Sequence, residues 1–270
     1  MPCTAHGFTH SGRAHVAPGM TPDARWAVKL ICALLLGGMA VGSGRLQAAD
    51  SLSYTVSWLG IPVVEVTVAK VENAAGFQQE YRARTRRWFD PIYAVDNRYR
   101  IWLDANSGYP QRYEKEVRER RHSNHSWVQY ELAARRISYA SGEQRPWPEP
   151  THNLFSALVW IERHPWKVAE TRRLLVEVEG VIWALAAHCT EQLSAARKGG
   201  PLFIVEARFE GQVAGSPVLV ESDIVARLLP GEGHEIRLGI DPVARRYNWI
   251  EFGSPPFLVR AKLNLAPLRP

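Results

Sequence analysis

The chain has 270 residues, 46% of them hydrophobic and 22% charged, with a formal charge of +6 and three cysteines. Four bases (Arg13, Arg25, Lys29, Arg45), one acid (Asp23) and two cysteines (Cys3, Cys32) lie in the first 49 residues, so the remainder carries +3 and Cys189 alone. That balance excludes the concentrated basic face of a nucleic-acid binder, an internal disulfide framework and a cysteine-based metal centre.

Residues 1–24 have no apolar period and read as a disordered extension, or as sequence upstream of the true start; Met20 is the expected start. Residues 25–49 read as a signal peptide. Arg25 and Lys29 form a basic n-region, Leu30 to Val41 an apolar run, and small residues lead to Ala48-Ala49, where cleavage is expected. The run is shorter than the ~20 residues that span a bilayer, and Cys32 lacks the small residue that precedes a lipoprotein cysteine. The expected product is therefore periplasmic, unlipidated and without a transmembrane segment after cleavage. Residues 50–270 contain no linker or repeat and read as a single β-rich domain, long enough at ~220 residues for one sizeable core.

The domain opens with a hairpin. Leu52, Tyr54, Val56 and Trp58 alternate with Ser53, Thr55 and Ser57; after Leu59-Gly60-Ile61-Pro62, Val64, Val66 and Val68 alternate with Glu65 and Thr67. Further period-two runs follow at 77–86, 97–104, 126–132 and 135–141, and then at 172–180, 181–188, 201–211, 217–229, 234–241, 245–253 and 257–265. Short strands so closely spaced predict an all-β, mainly antiparallel meander. The charged stretch 113–125 has almost no apolar face and reads as an edge or protruding strand. Two stretches read as helical. One is a short turn near 88–95, with Asp90 as cap and Pro91 in the first turn. The other is a main helix at about 152–164, capped by Thr151 or Asn153 and stopped by Pro165. The predicted fold is a large curved sheet, an open or incomplete β-barrel, with that helix packed across its concave face.

The concave face must be filled by the helix, by aromatic side chains or by a ligand. Tyr54, Val56, Trp58, Val64, Val66, Phe155, Leu158 and Trp160 are the candidate ligand-lining positions, each equally suited to plain core. On the wet face, Arg82, Arg84, Arg86, Arg98 and Arg100 form a candidate cationic patch; a solvated face balanced by acids such as Glu80 and Asp104 is the plainer reading. His122 and His125 lack a third ligand and sit beside Arg120 and Arg121, so no metal is expected. No nucleophile elbow, phosphate loop or dinucleotide fingerprint occurs, so no cofactor is expected and the chain reads as non-enzymatic.

Three segments carry a resemblance: the opening Leu52–Val63, the Leu154–Leu158 helix followed by Val159 and Trp160, and the late strand with Asp241 before its turn. Together they resemble the exported bacterial proteins grouped as DUF3108, a domain of unknown function. This sequence departs from that pattern at three places. Asn153-Leu154 stands where Asp-Pro enters the helix, Glu162 where an Arg closes it, and Gly239 where a Trp precedes the late Asp. The resemblance implies a fold similar in outline to periplasmic lipoprotein carriers, with a cavity for an apolar ligand such as a lipid or acyl chain. Two alternatives stand beside that expectation: an envelope assembly protein that docks a partner through an edge strand or its arginine face, and an unrecognised hydrolase.

Overall fold

Side chains alternate between a buried and an exposed face along nearly every strand, and one continuous sheet results. The computed structural model describes residues 50–73, 76–120, 122–147, 151–194, 200–218, 223, 225–226, 230–253 and 258–264. The extension, the signal-peptide segment and the choice of start at Met20 lie outside the described residues.

The described strands are β1 (Asp50–Trp58), β2 (Ile61–Asn73), β3 (Gly76–Thr85), β4 (Asp96–Leu103), β5 (Pro110–Glu119), β6 (His122–Glu131), β7 (Arg136–Tyr139), β8 (Gln144–Pro146), β9 (His152–Asn153), β10 (Thr171–Val178), β11 (Val181–Leu193), β12 (Leu202–Gly215), β13 (Glu235–Asp241), β14 (Arg246–Phe252) and β15 (Val259–Leu263). Helix α1 (Asp90–Tyr93) follows β3, and α2 (Leu154–Arg163) follows β9. The order across the sheet is β8-β7-β6-β5-β4-β3-β2-β1-β15-β14-β13-β12-β11-β10-β9. One meander runs outward from β1 to β8 and a second returns from β10 to β15. They meet at the centre, where Tyr54 lies opposite Leu263 and Trp58 opposite Val259. Among the described pairings only β9–β10 is parallel. The sheet stays open, with β8 and β9 as its edges. The predicted class, an antiparallel open sheet with one main helix, is the fold observed.

The opening hairpin turns through Leu59 and Gly60, both at positive φ (50° and 78°), the geometry that matches the twist of two-residue hairpins. Its apolar side faces the protein's own core: Tyr54, Val56, Val64, Val66 and Val68 are buried there with Phe77, Tyr81, Tyr99 and Ile101. Helix α2 fills the concavity and is buried almost all round, from Leu154 to Val159 and again at Ile161 and Glu162. Asn153 and Ser156 cap it reciprocally: Asn153 Oδ1 accepts from the Ser156 N–H at 2.7 Å, and Ser156 Oγ accepts from the Asn153 N–H at 2.9 Å. Near its other end, Tyr247 Oη donates to Leu158 O at 2.6 Å and Trp166 Nε1 to Ile161 O at 2.8 Å. Those bonds hold the helix to β14 and to its own exit loop.

Four sequence expectations are corrected. The charged stretch at 113–119 is no edge: β5 is paired on both sides, to β4 and β6. It buries a face of its own because Lys115, Val117 and Glu119 point inward. The strand expected over 217–229 lies partly outside the described residues, and Val225 and Ala226 within it are helical. Asp90 does not cap α1; Phe89 occupies that position without a side-chain bond, and the Asp90 carboxylate instead accepts from Thr85 Oγ1. The main helix starts two residues later than expected, because His152 and Asn153 pair with β10.

Candidate functional site

The inward face of β5 carries Lys115, only 2% exposed. A buried ammonium needs counter-charge, and two carboxylates supply it. Lys115 Nζ meets Asp223 Oδ2 at 2.8 Å and also pairs with Glu179. Asp223 is 1% exposed; its other oxygen accepts the N–H groups of Val225 at 2.8 Å and Ala226 at 3.0 Å. Glu179 sits in the β10–β11 turn, where Glu179 and Gly180 both have positive φ. One side chain of β5 thus ties together the segment around 223–226 and the tip of the β10–β11 hairpin, on the far side of the sheet opening.

A second bridge lies alongside. Glu177 of β10 is 2% exposed. It accepts from Tyr130 Oη at 2.7 Å, Tyr139 Oη at 3.2 Å and the Gly180 N–H at 2.6 Å. A third bridge is Arg145 of β8, whose Nη1 donates to Gly180 O at 2.7 Å. The two flanks of the open sheet are therefore joined by side chains across the gap between β6–β8 and β10–β11.

Burial and charge act on these groups in opposite senses. Burial pushes the Lys115 ammonium down, but Asp223 and Glu179 overcome it and hold the group above its ordinary value. Burial pushes Asp223 up, and Lys115 with the two N–H donors brings it below its ordinary value. Glu177 has no cation partner; burial raises it and its three donors only partly offset that.

Between these groups lies a cavity of about 50 Å³, lined by Tyr113, Val128, Phe155, Val178, Val218 and Val225 among others, with Lys115, Glu177, Glu179 and Asp223 in its wall. At ~10–15 Å³ per water it has room for about four waters or one small organic group. Asn153 also lines it. Its Oδ1 is used by the helix cap, and its Nδ2 is buried with no partner. An unpaired buried amide donor costs about 1–3 kcal/mol, so a bound acceptor oxygen would find a prepaid partner. Lys115 is held as a cation, both Glu177 oxygens are occupied by donors, and no histidine lines the cavity among the described residues.

The positions named from sequence are placed as follows. Phe155 lines this cavity. Tyr54 and Leu158 line a separate void of about 10 Å³ beside Lys70 and Glu162. Val56, Val64 and Val66 are packed in the core, with Trp58 and Trp160 partly buried against it. The five arginines share the outer face of β3, β4 and the following loop, interleaved with carboxylates. Arg82 and Arg84 pair with Asp96, Arg86 with Glu65, Arg98 with Glu80 and Glu116, and Arg100 with Glu80, Glu114 and Glu116. Lys115, Glu177, Glu179, Asp223 and Asn153 as a cavity donor were not foreseen. The available signal was local: Lys115 stands midway between Tyr113 and Val117 at strand spacing, so a strand that buries those two must bury it as well.

Two of the departures noted in the sequence carry visible consequences. Glu162 forms a buried ion pair with Lys70 of β2. Gly239 lies opposite Trp249 on β14, whose ring covers it.

The two-meander sheet and its helix now meet the comparisons with known proteins. Residues 53–176, just under half of the chain, resemble DUF3108. They match the model of that family, described as a protein of unknown function. The matched stretch ends within β10, so Lys115, Tyr130, Tyr139 and Asn153 lie inside it, and Glu177, Glu179 and Asp223 beyond it. The fold is similar to the crystal structure of a β-barrel-like protein of domain of unknown function DUF1849 from Brucella abortus, with a TM-score of 0.52 and 9% identity, covering 79% of this chain and 95% of that one. No curated protein matches the chain.

Proposed function

We propose that this is an exported, non-enzymatic binding protein of the cell envelope, which seats the end of an uncharged, mainly apolar ligand in the cavity between the sheet's two flanks. The carrying observation is the Asn153 amide, whose Nδ2 is buried without a partner, in a cavity lined by both apolar and charged side chains. It supports a ligand that brings an acceptor oxygen. The side chains of Tyr113, Val128, Phe155, Val178, Val218 and Val225 favour an apolar body, and an ester or amide group would bring that oxygen. The concave face itself is filled by α2 and aromatic side chains, so a whole acyl chain is not enclosed; only its end is held. The n-region, apolar run and small residues of 25–49 support export.

The test is mass spectrometry of the chain from Asp50 onward, which contains every described strand, purified from a bacterial periplasm. Native and then denaturing spectra are expected to differ by a neutral lipid or ester that leaves on unfolding. Ala140, at the exposed rim of the cavity, should lose this mass when changed to Trp. A clean apo mass, together with no uptake of an acyl-ester probe, would overturn the reading; preferred uptake of the free acid would overturn the ligand class.

A further inference from the structure

The end of the molecule where β1 turns into β2 presents a different kind of surface. Leu59 and Ile61 are 54% and 49% exposed, and Trp88 and Ile92 are 52% and 48% exposed. All four belong to one end of the sheet. Val64 lies opposite Thr85, and the Arg86 N–H donates to Val63 O at 2.9 Å, so the hairpin tip and the α1 loop leave the sheet side by side. The α1 loop is pinned. Phe89 and Tyr93 are buried beneath it, and the ring of Trp88 meets Phe89 edge-on at 5.4 Å. One helical face anchors the loop; the other holds Trp88 and Ile92 outward at i,i+4 spacing.

Cations ring the same end. Arg87 is exposed beside Trp88. The β5–β6 turn lies next to the loop, since the Arg120 N–H donates to Ala94 O at 2.9 Å and Val95 bridges Glu119. Exposed Arg118 and Arg120 come with it, and the Arg120 guanidinium stands 5.6 Å from the centre of the Tyr93 ring. Of the acids nearby, Glu65 pairs with Arg86 and Asp96 with Arg82 and Arg84, whereas exposed Asp90 bonds to the Thr85 hydroxyl and buried Glu119 to Asn97 and Tyr93.

We propose that this end docks on an anionic lipid surface, with Leu59, Ile61, Trp88 and Ile92 entering the interfacial layer and Arg87, Arg118 and Arg120 meeting phosphate headgroups. The charge is complementary to such a surface. The separated apolar knobs on protruding turns, one of them a tryptophan, suit the headgroup–acyl boundary, where amphipathic aromatic rings settle. The surface is independent of the cavity.

Co-sedimentation of the chain from Asp50 onward with phosphatidylglycerol-containing vesicles tests it. Wild type should bind those vesicles and lose most of that binding on pure phosphatidylcholine or in high salt. The double change Trp88→Ser/Ile92→Ser, and separately Arg87→Glu/Arg120→Glu, should each weaken binding on the order of tenfold or more with an unchanged thermal midpoint. Leu132→Ser, an exposed apolar residue in a different turn, should leave binding unaltered. Absence of wild-type binding would overturn the proposal. So would binding that survives both tip variants and is lost when Arg98 and Arg100 of the outer face are changed.

Discussion

A β-carbon on Gly239 would fall 2.4 Å from the Trp249 ring. Glycine here is a seat for an aromatic across a β-ladder, a device that stabilises strand glycines. Gly239→Ala is expected to cost roughly 1–3 kcal/mol by overpacking, read as a lower urea midpoint with an unchanged slope. His152 offers a test by pH. It is buried between the rings of Tyr109 and Trp160, and burial pushes it down to about 4. An unfolded histidine titrates near 6.5, so between the two values the unfolded chain takes up a proton that the folded one refuses. Stability therefore falls as pH drops through that window, by up to ~3 kcal/mol from this group. His152→Leu should flatten that part of the stability–pH curve, and equal slopes in both proteins would refute the assignment. Neither role was legible beforehand. Gly239 showed only as a missing tryptophan, and His152 carried no local signal, because a residue's burial is decided by a partner strand far away in the chain.

At the scale of elements, the strands and the main helix were readable because period two and period 3.6 are properties of neighbouring residues. The failures share one cause. In β5 the buried face contains Lys115 and Glu119, so the apolar alternation that marks a strand's inner side is broken by the residues that hold the flanks together. The same applies at Asp223, whose segment looked like a strand and whose carboxylate instead organises a helical turn under Lys115. Lys115→Met removes the buried cation that Asp223 and Glu179 share and should destabilise by about 3–5 kcal/mol. Lys115→Met with Asp223→Asn should recover part of that loss. Urea unfolding of the two variants measures it, and a double variant worse than the single would show that the pair does not act as a unit.

For the whole molecule, the stretch that matches the family model is not the folding unit. Residues 53–176 supply β1 through β9, α2 and most of β10. The core also needs Leu185, Ala187, Val205, Phe209, Leu238 and Ile250 from the remaining strands, and without them β1 has no neighbour on its β15 side. Expressed alone, that segment should show no cooperative urea transition and should bind a hydrophobic dye; a sharp transition would mean that the first meander is autonomous. The fold class was legible at this scale, but the seam was not. Nothing local says that the first and last strands are partners.

That seam has a kinetic consequence. Asn264 Nδ2 donates to Ser53 Oγ at 3.0 Å across 211 positions, so β1, at the middle of the finished sheet, waits for the last strand. Closing so long a loop costs entropy before any contact rewards it, and topologies dominated by such distant pairings fold slowly. A ribosome or a translocation pore releasing this chain from its amino end would deliver β1 first and its partner last. Until β15 emerges, an unpaired strand edge stays open in the middle of the structure, and holding that edge off other chains is the task any helper of this protein's folding must perform.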